Sequence, residues 1–246
     1  MLRGIYTAAA GMDVQQARVQ VLSNNIANLA TPGYRRDTVT FTSFLTHALY
    51  RYGEGRPAPV GRHDLGAAVG QVVTDFTPGP LVNTGDGHHV AIAGEGFFTV
   101  ATPAGEAYTR DGTFSVDAEG YLITPAGNRV LGERGPIRVN GPFTISPEGA
   151  VSAGGQVVDR LRLTAFDNPG ALEKTGGNVF VAAGDAGPRP AAGFRLMQGW
   201  LEQANADLAR EMTDLLAATR SYQGAARQLR AHDQLLGRLV NEVGKV

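Results

Sequence analysis

The chain has 246 residues, with 22 Lys and Arg against 23 Asp and Glu, and no cysteine. That length fits one or two domains, and an apolar fraction of 43% supports a packed core. The near-neutral balance provides no field to gather nucleic acid or anionic membrane, and the missing thiols exclude disulfides, thiol catalysis and thiolate metal sites.

The first residues, Met1 to Tyr6, do not read as a secretory signal, because Asp13, Gln15, Gln16 and Arg18 interrupt any apolar run. No stretch reaches the roughly 18 apolar residues of a membrane span. Instead Ile5, Met12, Val19 and Ile26 recur at intervals of seven, with Ala8, Gln15, Leu22 and Leu29 three residues later. This is the stripe of an amphipathic helix, and only Gln15 interrupts it. The helix is expected to end near Thr31-Pro32-Gly33, where Pro disfavours helical geometry in the residue before it and Gly permits a turn. Asn24, Asn25 and Asn28 are poor helix formers close to that end, so they are expected to cap, turn or hydrogen-bond a neighbour.

The middle of the chain changes character. Every proline except Pro32 lies between Pro57 and Pro190, and most of the 33 glycines lie there too. Short β-type runs follow one another: His89–Ala93, Phe97–Val100, Ala107–Arg110, Thr113–Val116, Tyr121–Ile123 and Arg129–Leu131. Further runs are expected at 136–139, 142–146, 156–159 and 161–166. Gly94-Glu95-Gly96 and Pro103-Ala104-Gly105 punctuate them, and Asp111-Gly112 reads as a two-residue turn. This spacing predicts an all-β unit of hairpins, a sandwich or open barrel.

The C-terminal segment returns to helical periodicity. Leu201, Leu208, Leu215, Tyr222, Leu229, Leu236 and Val243 fall seven apart without a miss. Ala204, Glu211, Ala218, Ala225, His232 and Leu239 stand three residues on, and Met212, Ala226 and Val240 adjoin them. Such a heptad predicts a long helix that meets another helix. The two helices are unequal, about 28 against 48 residues at this reading, so part of the longer seam needs a further partner. The chain is therefore expected to be α+β. Residues 1–34 form an N-terminal helix and motif, 35–80 an extended, partly β linker, 81–192 a central β domain, and 193–246 a C-terminal helix. The terminal helices are expected to pair as a coiled coil.

No residues with the spacing of a catalytic, cofactor or metal site emerge. Gly94-Glu95-Gly96 lacks the third glycine and following helix of a phosphate loop. His88 and His89 are neighbours and face opposite ways in a strand. Glu95, Asp111, Asp117 and Glu119 stand at turns, where acidic residues are common. Ser23 and Ser221 lie on helices without a patterned His.

Three blocks carry a family resemblance. The first is Ser23-Asn24-Asn25-Ile26-Ala27-Asn28-Leu29-Ala30-Thr31-Pro32-Gly33-Tyr34. The second is Ala91-Ile92-Ala93-Gly94-Glu95-Gly96-Phe97-Phe98 with Ala107-Tyr108-Thr109-Arg110-Asp111-Gly112-Thr113-Phe114. The third is Gln198-Gly199-Trp200-Leu201-Glu202-Gln203-Ala204-Asn205, continuing through Glu211-Met212 and Arg220-Ser221-Tyr222. In this order they resemble the axial proteins of the bacterial flagellum, the rod and hook subunits, and the length resembles the rod subunits. At His88-His89 the chain departs from the usual apolar residue and Asp.

The resemblance implies a structural, non-enzymatic subunit of the basal-body rod, exported by the flagellar type III apparatus without a cleaved signal. It implies polymerisation with itself and with other rod and hook proteins, and no nucleic acid, cofactor or small-molecule substrate. Assembly residues are expected at Asn24, Asn25, Asn28, Thr31, Gly33 and Tyr34, and along Leu201, Leu208, Leu215, Tyr222, Leu229 and Leu236. The competing readings are an adhesin-like surface stalk and a carbohydrate-acting wall hydrolase.

Overall fold

Two helices frame the chain. The computed structural model describes residues 2–43, 46–51, 58–64 and 66–243, and within them α1 spans Leu2–Ala27 and α2 spans Leu208–Val243. The fold is α+β, with a helix at either end of a β-rich middle. The chain divides into two units. One takes in the residues up to Ala27, Asp37–Thr74 and the residues from Asp207 on; the other holds Asn28–Arg36 and Asp75–Ala206.

In the helical unit α1 and α2 pack antiparallel. Gly4 lies against the His232 ring, Arg18 pairs with Asp214 at 3.1 Å, and Asn25 donates to Glu211 at 3.1 Å. The heptad stripe of α1 is legible here: Ala8 and Leu22 are buried, and Ile5, Met12, Val19 and Ile26 are half-buried. On α2 the deepest positions are Glu211 and Ala218, from the second seam position, while Leu215, Tyr222, Leu229 and Leu236 are half-buried. The side chains of Leu239 and Val243 lie outside the described residues.

The expected helical stretch from residue 193 to 207 is a correction. Arg195–Gln198 and Trp200–Glu202 are strands, and Leu201 sits buried in the second of them. The helix begins where Asp207 caps it: the carboxylate accepts from the Arg210 N–H at 2.8 Å, which satisfies one of the orphan donors of the first turn. Gly199, at φ 81°, already breaks any helical path upstream.

The rest of the helical unit is a β-ribbon. β1 (Asp37–Ser43) and β2 (Thr46–Arg51) run out, and β3 (Ala58–Asp64) and β4 (Ala67–Thr74) return. β1 pairs antiparallel with β4, from Asp37 opposite Thr74 to Ser43 opposite Ala67, and β2 pairs with β3. The β1–β4 ladder slips between Val39 and Phe41. There the Thr40 hydroxyl accepts from the Gln71 N–H and donates to the Gln71 carbonyl, both at 2.9 Å, which satisfies the bulge.

The β unit is built on a ten-stranded sheet. Its central hairpin joins Phe97–Thr102 to Gly105–Thr109 through Pro103-Ala104, with Thr102 opposite Gly105. Adjacent residues on a strand face opposite ways. Phe98 accordingly enters the main core with Val90, Val100, Phe114, Leu122 and Val130, while Phe97 enters a second cluster with Tyr108, Phe166 and Phe180. Asp111-Gly112 does not form the expected hairpin turn. The strand before it pairs with Phe97–Thr102, and the strand after it, Ser115–Val116, pairs with Leu122–Ile123. Gly112 is needed for a different reason: a Cβ there would overlap the Val90 carbonyl.

Candidate functional site

Residues 28–36 leave α1 as a turn and lie in the β unit as a short strap. Thr31 donates its N–H back to the Asn28 carbonyl at 3.0 Å and its hydroxyl to the Asn28 side chain at 3.3 Å. Gly33 follows at φ 67°, so close to the Arg110 and Asp111 backbone that a Cβ would collide with it. That permits the Gly33 N–H to reach the Glu202 carbonyl at 2.7 Å. Tyr34 is buried, with the Lys174 ammonium 4.3 Å from its ring centre. Lys174 also donates to the Arg35 carbonyl at 2.5 Å, and Asn178 donates to the Pro32 carbonyl at 2.8 Å.

Beneath the strap lies a buried ionic cluster. Arg35 is fully buried, and its Nη1 stands 2.7 Å from Glu202 Oε1. The approach is off-axis for a hydrogen bond, so this contact is an ion pair held by charge. Arg110 Nη1 meets Glu202 Oε2 at 3.1 Å, its Nη2 donates to the Gly94 carbonyl at 2.9 Å, and its guanidinium lies over the Phe97 ring. Gly79 donates its N–H to Glu202 Oε1 at 2.9 Å. One carboxylate thus gathers residues from the strap, the 79 loop and the 110 loop. Burial pulls the Arg110 guanidinium below its ordinary pKa, and the nearby Glu202 opposes that pull.

Two asparagines knot the chain where it passes between stretches of each unit. In the helical unit Asn25, 1% exposed, pairs with the Asp37 backbone as a neighbouring strand would: its Nδ2 donates to the Asp37 carbonyl and its Oδ1 accepts the Asp37 N–H, both at 2.9 Å. The same Nδ2 reaches Glu211. Only an amide supplies donor and acceptor together at that reach. In the β unit Asn205 does the same work. It accepts the Arg36 N–H at 2.8 Å and donates to the Asp75 and Thr77 carbonyls at 2.8 and 3.0 Å. Arg36 closes the knot with an ion pair to Asp75 at 3.1 Å. Burial alone raises the Asp75 pKa, but hydrogen bonds from the Thr77 backbone and hydroxyl, with Arg36 beside it, outweigh that and lower it.

The expected site residues therefore divide. Asn25, Asn28, Thr31, Gly33 and Tyr34 lie in or beside these knots. Asn24 stands on the exposed face of α1. Leu201 joins the β unit's interior, and Leu208 is 51% exposed at the first turn of α2. Arg35, Arg110, Glu202, Asn205, Asp75 and Glu211 were not expected as site residues. Glu202 gave no local signal: it directly follows Leu201 in a short strand, faces the other way, and both sides of that strand are buried. Among the described residues no cluster of His, Cys, Asp and Glu could hold a metal ion.

Three family descriptions match this sequence. "Flagella basal body rod protein" matches residues 5–35, "Flagellar hook protein FlgE/F/G D1 domain" matches 91–157, and "Flagellar basal body rod FlgEFG protein C-terminal" matches 197–242. Arg35, Arg110 and Glu202 come one from each matched region. Among curated proteins, the flagellar basal-body rod protein FlgG of Bacillus subtilis is 32% identical, covering 98% of this chain and 99% of its own. The rod protein FlgF of Caulobacter vibrioides is 30% identical over 100% of both chains. FlgG of the same species is 33% identical, covering 96% of this chain and 97% of its own.

Proposed function

The chain belongs to the flagellar basal-body rod protein family, and we propose that it is a structural subunit that polymerises through its terminal helices into the axial tube of that rod. The observation that carries this is the match to rod proteins over 98–100% of this chain and 99–100% of theirs. Its place is the basal body, and no helix among the described residues is long and apolar enough to cross a membrane. Neither the surface stalk nor the wall hydrolase finds support in these relatives.

The finer reading is ours. The two helices pair as a coiled coil and form the polymerising layer, with other rod and hook proteins as neighbours and the type III export apparatus as the route out. Exposed apolar side chains of α2 support it: Leu208, Met212 and Leu216, four apart and so on one side, are each at least half exposed. Rows of that kind on one helix mark an interaction face. Asn25, near the end of α1, and the strap residues Asn28, Thr31, Gly33 and Tyr34 serve assembly by fixing the chain where it leaves α1.

The test is a chain ending at Ala206, made in place of the whole protein. Ending at Leu201 would remove Glu202 and Asn205, which the β unit needs. The shortened chain is expected to keep a folded β unit, read by the fluorescence of Trp200, and to support no rods and no motility. Normal rods from such cells would refute the proposal.

A further inference from the structure

The helical unit carries a hollow that the described residues leave open. It lies between the first turns of α1 and the late turns of α2, measures about 600 Å³, and is lined largely by small residues, among them Gly4, Ala8 and Gly11 facing Ala225, Ala231 and His232. Gly4 has a reason within the chain, because a side chain there would press on the His232 ring. Gly11 has none: a Cβ added to it meets nothing within 4 Å. An interior glycine weakens a helix relative to alanine, so Gly11 keeps the hollow open at a cost to the lone molecule.

The opposite end of α2 carries a matching ridge. Leu208, Met212 and Leu216 are four apart, hence on one face, and are 51%, 51% and 59% exposed. The seam toward α1 lies elsewhere, at Glu211 and Ala218. Charge follows the same polarity. Residues 207–216 hold Asp207, Arg210, Glu211 and Asp214, a formal −2, or −1 with Arg18 paired to Asp214. Residues 225–241 hold Arg227, Arg230, Asp233 and Arg238, a formal +2, and residues 4–11 hold no charge. Opposite signs at opposite ends favour end-to-end contact, and a head-to-tail contact that does not close on itself grows a filament.

We propose that the hollow receives the Leu208–Met212–Leu216 ridge of a second copy of this chain. The proposal rests on the reading of the chain as a polymerising subunit, and adds which surfaces meet.

Because the protein has no cysteine, single thiols report the contact directly. In one molecule Asn25 stands opposite Glu211, so Gly11 lies roughly 21 Å along the axis from the level of Met212. A disulfide needs Cα atoms within about 7 Å, so any bond between these positions joins two copies. Full-length Gly11→Cys and Met212→Cys chains are mixed, concentrated and oxidised, then run without reductant. A dimer in the mixture, with each chain alone staying monomeric, is the expected result, and the doubly substituted chain should give a ladder. Gly11→Leu, whose Cβ meets nothing within 4 Å and whose side chain occupies the hollow, should lose oligomers in light scattering while keeping its helicity. If oligomers form but no mixed dimer appears, or if Gly11→Cys pairs with itself, this contact is wrong and the polymerising subunit stands. If the concentrated wild-type chain forms no oligomer at all, both fall.

Discussion

Glu202 receives two guanidinium groups and a backbone N–H inside the β unit. Removing one partner of a buried ionic cluster leaves the others uncompensated. Glu202→Gln keeps the shape and removes the charge, so it should lower β-unit stability by about 3–5 kcal/mol, read as a shift in the urea midpoint of Trp200 fluorescence. An unchanged midpoint would mean the cluster is neutral to folding. Asp75 offers a pH test with a definite sign. Its folded pKa lies below that of an ordinary aspartate, so its stabilisation is present above the ordinary value and lost as pH falls through the lower folded value. Asp111 works in the opposite sense, because burial raises its pKa and acid relieves its cost. The Asp75 effect is therefore read locally, at the Asp75 amide that bonds the Arg36 carbonyl. Hydrogen exchange there should accelerate as pH drops below that range, beyond the intrinsic trend, and Asp75→Asn should abolish the acceleration. Little of this cluster was legible beforehand, since Arg35 and Glu202 find each other across the whole β unit and no local pattern encodes such a pairing.

At the scale of elements, the helices were legible and their boundaries were not. The seven-residue spacing runs on through Leu201, but Leu201 is in phase by coincidence, in a strand that pairs with Leu81–Asn83. The true start is written in Asp207, a helix-capping residue that the heptad count passes over. Losing its bond to the Arg210 N–H should destabilise α2 by about 1 kcal/mol. Gly224 offers the reverse change, because a Cβ there meets nothing within 4 Å and alanine is favoured over glycine by about 1 kcal/mol in a helix interior. Asp207→Ala and Gly224→Ala should therefore move the helical melting temperature in opposite directions, measured by far-ultraviolet circular dichroism on the full chain. The β-hairpins followed their turn chemistry where a turn was present, as at Pro103-Ala104. They failed at Asp111-Gly112, where glycine answers to the approaching Val90 carbonyl rather than to a turn.

At the scale of the whole molecule, the two units differ in what holds them. Among the described residues the helical unit buries four apolar side chains, Ala8, Val14, Leu22 and Ala218, two of them alanines and only Ala218 almost completely. The β unit buries Phe98, Leu122, Ile137, Val90, Val100, Val130, Val139 and Val151 almost completely, with a second aromatic cluster around the equally buried Phe180 beside them. Buried apolar area is the main favourable term in folding, and local stability follows it. The helical unit should open first. The chain carries its own reporters for this: α1 and α2 dominate the helical dichroism, while the single Trp, Trp200, sits in a strand of the β unit. In a urea titration of the intact monomer, the helical signal should fall at a lower concentration than the one at which Trp200 fluorescence changes. Coincident transitions would show one cooperative unit and remove the basis for treating the helices as the adaptable part. Separate transitions are what a polymerising subunit requires physically, because helices that are only half-buried alone gain the remainder of their stability from the neighbours that cover them.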